Sequence, residues 1–199
     1  MCRKLPCAMR LVVKWYSMWA KEERCSRVHG WLKDLGMGMS ERSFRELKLE
    51  KGMRALVLVA HPDDETIWMG GTLARHKDVR WTIFALCRKS DPDRMPKFLR
   101  VAQYYGARAI ICDLEDEGIL SVQESIPEII KIIRKELPQK TFDILFTHGV
   151  NGEYGHPRHK GVHLVVKQML ASGELRSRQV FFFAYKLDEK RKIAVPNVR

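Results

Sequence analysis

At 199 residues and 45% hydrophobic composition, the chain can bury one full core, so a single main domain is the default. Its net charge of +12 would suit an anionic partner, but the charge is spread: residues 1–52 carry 12 Lys/Arg against 6 Asp/Glu, and residues 53–199 carry 24 against 18. With no concentrated basic tail, no base-stacking aromatic series and no run near the ~20 apolar residues of a membrane span, both a nucleic-acid module and a transmembrane protein are disfavoured.

Residues 1–52 read as a helical N-terminal extension of uncertain role, with amphipathic segments at Leu11–Trp19 and Ser40–Leu49 separated by Gly36 and Gly38. No chemistry is evident in it; a lid or an oligomer contact would be consistent with it. The five cysteines, Cys2, Cys7, Cys25, Cys87 and Cys112, form no Cys-x-x-Cys pair, which argues for reduced thiols and a cytoplasmic setting.

From residue 53 to 199 the chain alternates strand and helix. Leu56–Ala60 is a wholly apolar strand, buried on both faces. His61-Pro-Asp-Asp-Glu65 follows it at once, and a helix runs from about Glu65 to His76, with Gly70-Gly71 allowing close backbone approach. Trp81–Leu86 is the second strand; Ser90-Asp-Pro-Asp93 leads into a helix ending at Tyr105, closed by Gly106. Ala109–Cys112 is the third strand, Asp113–Ser121 an acidic loop, and Ser125 the cap of a helix ended by Pro138. Asp143–Thr147 and Val180–Tyr185 are the last strands, flanking a helix from His156 to Ala171, and the segment from Lys186 on reads as loop. Alternating βα units predict an α/β, Rossmann-like three-layer fold with a mostly parallel sheet.

Open α/β sheets bind ligands at the carboxyl ends of their strands. One imidazole and three carboxylates sit there after the first strand. After the fourth comes His148-Gly-Val-Asn-Gly-Glu-Tyr-Gly-His-Pro-Arg-His-Lys-Gly-Val-His163. Pro157 suits a first helical turn, which places His156, His159 and His163 at i, i+3 and i+7 along one face. His156 and His159 then share the rim to which His61 and Asp64 project, and nitrogen plus carboxylate oxygen is a ligand set that suits Zn²⁺. His163 lies a turn deeper and reads as packing; His148 reads as a supporting residue behind the ligands.

Ala60-His-Pro-Asp-Asp-Glu65 together with Gly155-His-Pro-Arg-His159 resembles the PIG-L (LmbE-like) family of zinc-dependent N-acetylglucosamine de-N-acetylases, and the resemblance covers roughly Met53 to Tyr185. It implies one zinc ion per chain held by His61, Asp64 and His159, with Asp63 as general base and His156 as general acid or oxyanion stabiliser. It also implies an N-acetylated amino-sugar substrate touched by Arg94 and Asp116, and allows a homo-oligomer. Two positions depart from the family pattern. Arg158 stands where Asp is common and cannot orient His156, which leaves Glu153 or Asp116 to substitute; Arg94-Met-Pro-Lys97 keeps the Arg of an Arg-x-x-Glu and lacks the Glu. Three protein ligands with an open position are the pattern of a catalytic zinc site. The expected function is therefore acetyl removal by a zinc-activated water. The competing readings are a metal phosphoesterase, which would want a second carboxylate set, and a non-catalytic basic binding module.

Overall fold

β1 (Arg54–Val59) is the axis of the molecule: Ala55 through Val59 have no solvent exposure. In the computed structural model, which describes residues 47–197, it is followed by α1 (Asp64–Arg75), β2 (Arg80–Cys87), α2 (Arg94–Tyr105), β3 (Arg108–Leu114), α3 (Val122–Glu136), β4 (Thr141–Thr147), α4 (Pro157–Ala171), β5 (Arg176–Phe182), β6 (Tyr185–Asp188) and β7 (Ile193–Pro196). The expected helix at Leu11–Trp19 lies outside the described residues, as does Ser40–Leu49 except for Leu47–Leu49, which are not helical.

β1 to β5 form one sheet in the order β3-β2-β1-β4-β5, with every pair parallel. Alternate residues of a strand face opposite sides. Leu56, Leu58, Phe84, Leu86 and Leu145 pack with Ile129 and Ile133 of α3 and Val162, Val165 and Met169 of α4. On the other face, α1 and α2 bury Leu73, Phe98 and Ala102. This is the expected three-layer α/β fold. The apolar run of β1 is continuous because helices cover both faces of a parallel sheet. Truncating one such residue, Leu58→Ala, would cost about 2–5 kcal/mol.

Three local expectations are corrected. Ser121, not Ser125, caps α3: its Oγ accepts the Glu124 N–H at 3.3 Å, and Glu124 Oε2 accepts the Ser121 N–H at 2.8 Å, a capping box. Ser125 is fully buried one turn in, where a Cβ on Gly161 of α4 would come within 2.9 Å of its Oγ, so the two helices close on small residues. β5 ends at Phe182 rather than Tyr185 and begins at Arg176, within a polar stretch at the sheet edge. The tail is not loop: β6 and β7 pair antiparallel, with Leu187 opposite Ala194.

The strand order reverses between β1 and β4. Such a switch point leaves a crevice at the carboxyl ends of the two strands. Ala60, just past β1, is held from both sides: its carbonyl accepts the Leu86 and Cys87 N–H groups, and its N–H donates to His148 Nε2 at 3.0 Å. The residue that follows, His61, is therefore placed rigidly at the head of the crevice.

Candidate functional site

Three donor atoms meet in the crevice. His61 Nδ1 lies 3.2 Å from His159 Nε2 and 3.3 Å from Asp64 Oδ2, and His159 Nε2 lies 3.4 Å from the same oxygen. His61 comes from the turn after β1, Asp64 from the first residue of α1, and His159 from the first turn of α4. Donors bound tetrahedrally at ~2.1 Å stand ~3.4 Å apart, so this triangle matches one face of a zinc-type coordination shell. Asp64, His159 and His61 are all buried.

Each donor is oriented by a partner on its far side. His61 Nε2 is 3.0 Å from Asp116 Oδ1, and His159 Nδ1 is 2.7 Å from Glu153 Oε2. A carboxylate behind each imidazole keeps the proton on that outer nitrogen and leaves a lone pair facing the triangle. Asp64 Oδ2 accepts the His61 N–H at 2.9 Å, and Oδ1 accepts the Trp68 indole N–H at 3.1 Å. His148 also approaches Asp64, at 3.4 Å, but its Nε2 is taken by the Ala60 N–H and its Nδ1 donates to Glu153 at 2.8 Å. It is a support, stacked on the His159 ring at 3.8 Å.

The electrostatics call for positive charge. Burial alone disfavours a charged His61, but hydrogen bonds to Asp116 and Asp64 outweigh it and raise its pKa to about 9. His159 is likewise raised against its burial by Asp64 and Glu153. The histidines hold Asp64 well below the usual carboxylate range although burial opposes this. A field that draws protons onto two imidazoles also favours a cation between them, so the donor set fits a divalent metal in chemistry as well as spacing.

Asp63 stands outside the triangle. Its Oδ2 accepts from Arg94 Nη1 at 2.9 Å, half exposed at the mouth, and burial and the neighbouring Asp64 charge push its pKa up. His156, the N-cap of α4, is brought in: the donor atoms of His61, His156 and His159 lie within 4.8 Å of one another. Its Nδ1 accepts the Arg158 backbone N–H at 3.2 Å, so a neutral ring carries its proton on Nε2. Burial, then the charges of His159 and His61, push its pKa down to about 4.

A family model described as PIG-L, GlcNAc-PI de-N-acetylase, matches residues 56–170, more than half of the chain. The chain belongs to the PIG-L family. A 1D-myo-inositol 2-acetamido-2-deoxy-alpha-D-glucopyranoside deacetylase of Actinosynnema mirum is 26% identical over 166 residues, which are 63% of this chain and 57% of the relative. The chain thus spans just over half the length of that curated relative. Among solved structures, the conserved protein TT1542 from Thermus thermophilus superposes with a TM-score of 0.51 at 21% identity, covering 65% of this chain and 66% of that one. The A40926 pseudoaglycone deacetylase Dbv21 does so with a TM-score of 0.51 at 12% identity, covering 75% and 70%. At these identities the two structures show a shared fold.

At this PIG-L site the side chains behind the motif residues make their own network. Neither Glu153 nor Asp116 reaches the His156 ring; each stands behind another imidazole. Asp116 is engaged on both oxygens, by His61 and by Arg88 Nη2 at 2.8 Å. Arg88, just past β2, carried no motif that could single it out. Arg158 turns away from His156 altogether. Its buried guanidinium donates to Glu115 Oε2 at 2.8 Å and to the Leu120 carbonyl at 2.6 Å. Glu115 in turn accepts the N–H groups of Ile119 and Leu120. Arg158 therefore fastens the acidic loop to α4, and the loop carries Asp116 to His61. The buried thiol of Cys87 lies beside that pair, its pKa raised by burial. No helix among the described residues is long and apolar enough to cross a membrane.

Proposed function

We propose that this PIG-L chain is a metal-dependent hydrolase that removes the acetyl group from an N-acetylglucosamine-type sugar, with one zinc ion held by His61, Asp64 and His159. The observation that carries the reading is the triangle of donors 3.2–3.4 Å apart, backed by Asp116 and Glu153. A divalent cation there supplies Lewis acidity, which lowers the pKa of water and polarises an amide carbonyl. Asp63, adjacent in sequence to a ligand yet directed elsewhere, is free to take the proton of the attacking water, a contribution of typically ~10²–10⁴-fold. Arg94 holds its carboxylate in place. His156 Nε2–H, its proton placed by the Arg158 backbone N–H, donates to the developing oxyanion. Asp63 in its acid form then returns the proton to the departing amine. A role for Arg94 and Asp116 in holding the sugar belongs to the same reading, with Arg94 at the open mouth the better placed of the two.

Metal content and acetate release, measured on Asp63→Asn and His159→Ala, test the division of roles. Asp63→Asn is expected to keep the metal and lose at least a hundredfold in turnover, and His159→Ala to lose both. Equal metal loss in the two variants, or full activity of Asp63→Asn, would overturn it.

A further inference from the structure

Cys87 takes no part in the donor triangle. It is the last residue of β2, free and fully buried. Its backbone N–H donates to the Ala60 carbonyl at 2.9 Å, which sets it beside His61. The chain is irregular on both sides of it. The register with β3 shifts between Ala85 and Cys87, and Arg88 has φ +69, a conformation that strains a residue with a Cβ. The result is a second group of donors on the outer side of His61. The Cys87 sulfur, a ring nitrogen of His61 and a carboxylate oxygen of Asp116 lie within 4.8 Å of one another. His61 Nε2 and Asp116 Oδ1 are already 3.0 Å apart. Arg88 Nη2 holds the other Asp116 oxygen at 2.8 Å, which leaves Oδ1 turned to the ring. A cavity of about 390 Å³ opens on Asp116 and shares no lining residue with the opening at Asp63 and Asp64. The carboxylates of Asp91, Asp113, Glu115, Asp116 and Glu117 line it against the single guanidinium of Arg88, a field that concentrates cations.

We propose that Cys87 Sγ, His61 Nε2 and Asp116 Oδ1 form a second cation site, for a thiophilic divalent metal such as Zn²⁺ or Cd²⁺, and that excess metal bound there switches the first site off. Thiolate, imidazole and carboxylate are all zinc ligands, and the acidic cavity is the entry path. Three metal–ligand bonds form, the thiol and His61 Nε2 each release a proton to solvent, and nothing is oxidised or reduced. The first site needs only neutral imidazoles, whereas the second needs both nitrogens of His61 bare, so the first fills first. His61 then bridges two cations about 6 Å apart, beyond the ~3.5–4 Å of a two-metal phosphoester clamp. Asp116 is drawn off its task of orienting His61, a kind of loss that costs ~10–100-fold in metal affinity or activity. The site stands without the hydrolase reading; its effect on turnover rests on that reading.

Cobalt(II) is the probe, because thiolate ligation gives it a charge-transfer band that nitrogen and oxygen ligands do not. In the metal-free full chain, the first equivalent is expected to give visible bands alone, and further cobalt to add the thiolate band. Cys87→Ser is expected to lose the thiolate band and keep the visible bands of the first equivalent. A chain with serine in place of Cys2, Cys7, Cys25 and Cys112 is expected to show both. Acetate release is expected to fall about tenfold as zinc passes one equivalent, and to stay level in Cys87→Ser. The absence of a thiolate band in excess cobalt would overturn the site, as would a band that survives Cys87→Ser and vanishes from the four-serine chain. Inhibition undiminished in Cys87→Ser would overturn the switch. A Cys87-dependent band without acetate release at any zinc level would support the site and sink the hydrolase reading instead.

Discussion

Replacing Glu153 with Gln should damage the proposed metal centre without touching a donor atom. Glu153 Oε2 accepts from His148 Nδ1 at 2.8 Å and His159 Nδ1 at 2.7 Å, while Oε1 accepts the Gly149 N–H at 2.7 Å. The glutamine amide has one acceptor end. Placed toward the imidazoles, it leaves the NH₂ facing the Gly149 N–H. Turned over, it faces the NH₂ at two N–H donors. Either arrangement strands a buried donor, at about 1–3 kcal/mol. His159 can escape only by moving its proton to Nε2, the atom that lies 3.2 Å from His61 Nδ1, and the lone pair for a cation is then gone. Both routes converge on a loss of about 10–100-fold in zinc affinity, the usual cost of removing a carboxylate behind a metal-binding imidazole. Competition with a chromophoric chelator measures it, and a melting curve of the metal-stripped protein separates the folding cost from the binding cost. Wild-type zinc affinity in Glu153→Gln would refute the assignment of Glu153 as the group that sets the His159 tautomer.

Stripping the metal with a chelator should lower the melting temperature, with recovery on zinc addition that grows with its concentration, because only the folded chain brings the three donors together. Arg158→Met should loosen the acidic loop by removing the bonds to Glu115 and Leu120; hydrogen exchange at Ile119 and Leu120 should rise while α4 stays protected. Gly149→Ala places a Cβ 2.5 Å from the Phe183 carbonyl, so the chain leading to the β6–β7 hairpin must shift; soluble yield and sugar affinity should both fall. Trp68→Phe keeps a six-membered aromatic ring and deletes the hydrogen bond to Asp64 Oδ1; zinc affinity should drop several-fold, a larger effect than the change in melting of the metal-free protein.

The central sheet and both histidine motifs were legible because their signals are local. β1, β2 and β4 are apolar runs buried on two faces, and a residue just past such a strand in this architecture has one place to go. The missing pieces depend on pairing across the chain. β5 is an edge strand whose first half, Arg176-Ser-Arg-Gln179, buries little and so carries no hydrophobic pattern. The β6–β7 hairpin is short and charged, and reads as tail until its partner is known. Glu153 sits at φ +57 in the loop after β4, a backbone state that spacing does not reveal, and only that turn sends its carboxylate back under two imidazoles. The Ser121 cap was legible in principle, since Ser121-Val-Gln-Glu124 is a capping box; the stronger apolar periodicity further on drew the boundary four residues late.

The neighbouring places of β1 and β4 in the sheet also bear on how the protein is made. Between His61 and His159 the chain must complete two strands and two helices on one side before crossing back to lay β4 beside β1. Closing so long a loop is slow, and on the ribosome the proposed metal site would stay incomplete until the first turn of α4 has emerged. A cation held by these donors would therefore wait until β1 to β4 and α1 to α3 have preceded α4, so that those elements take part in choosing what enters.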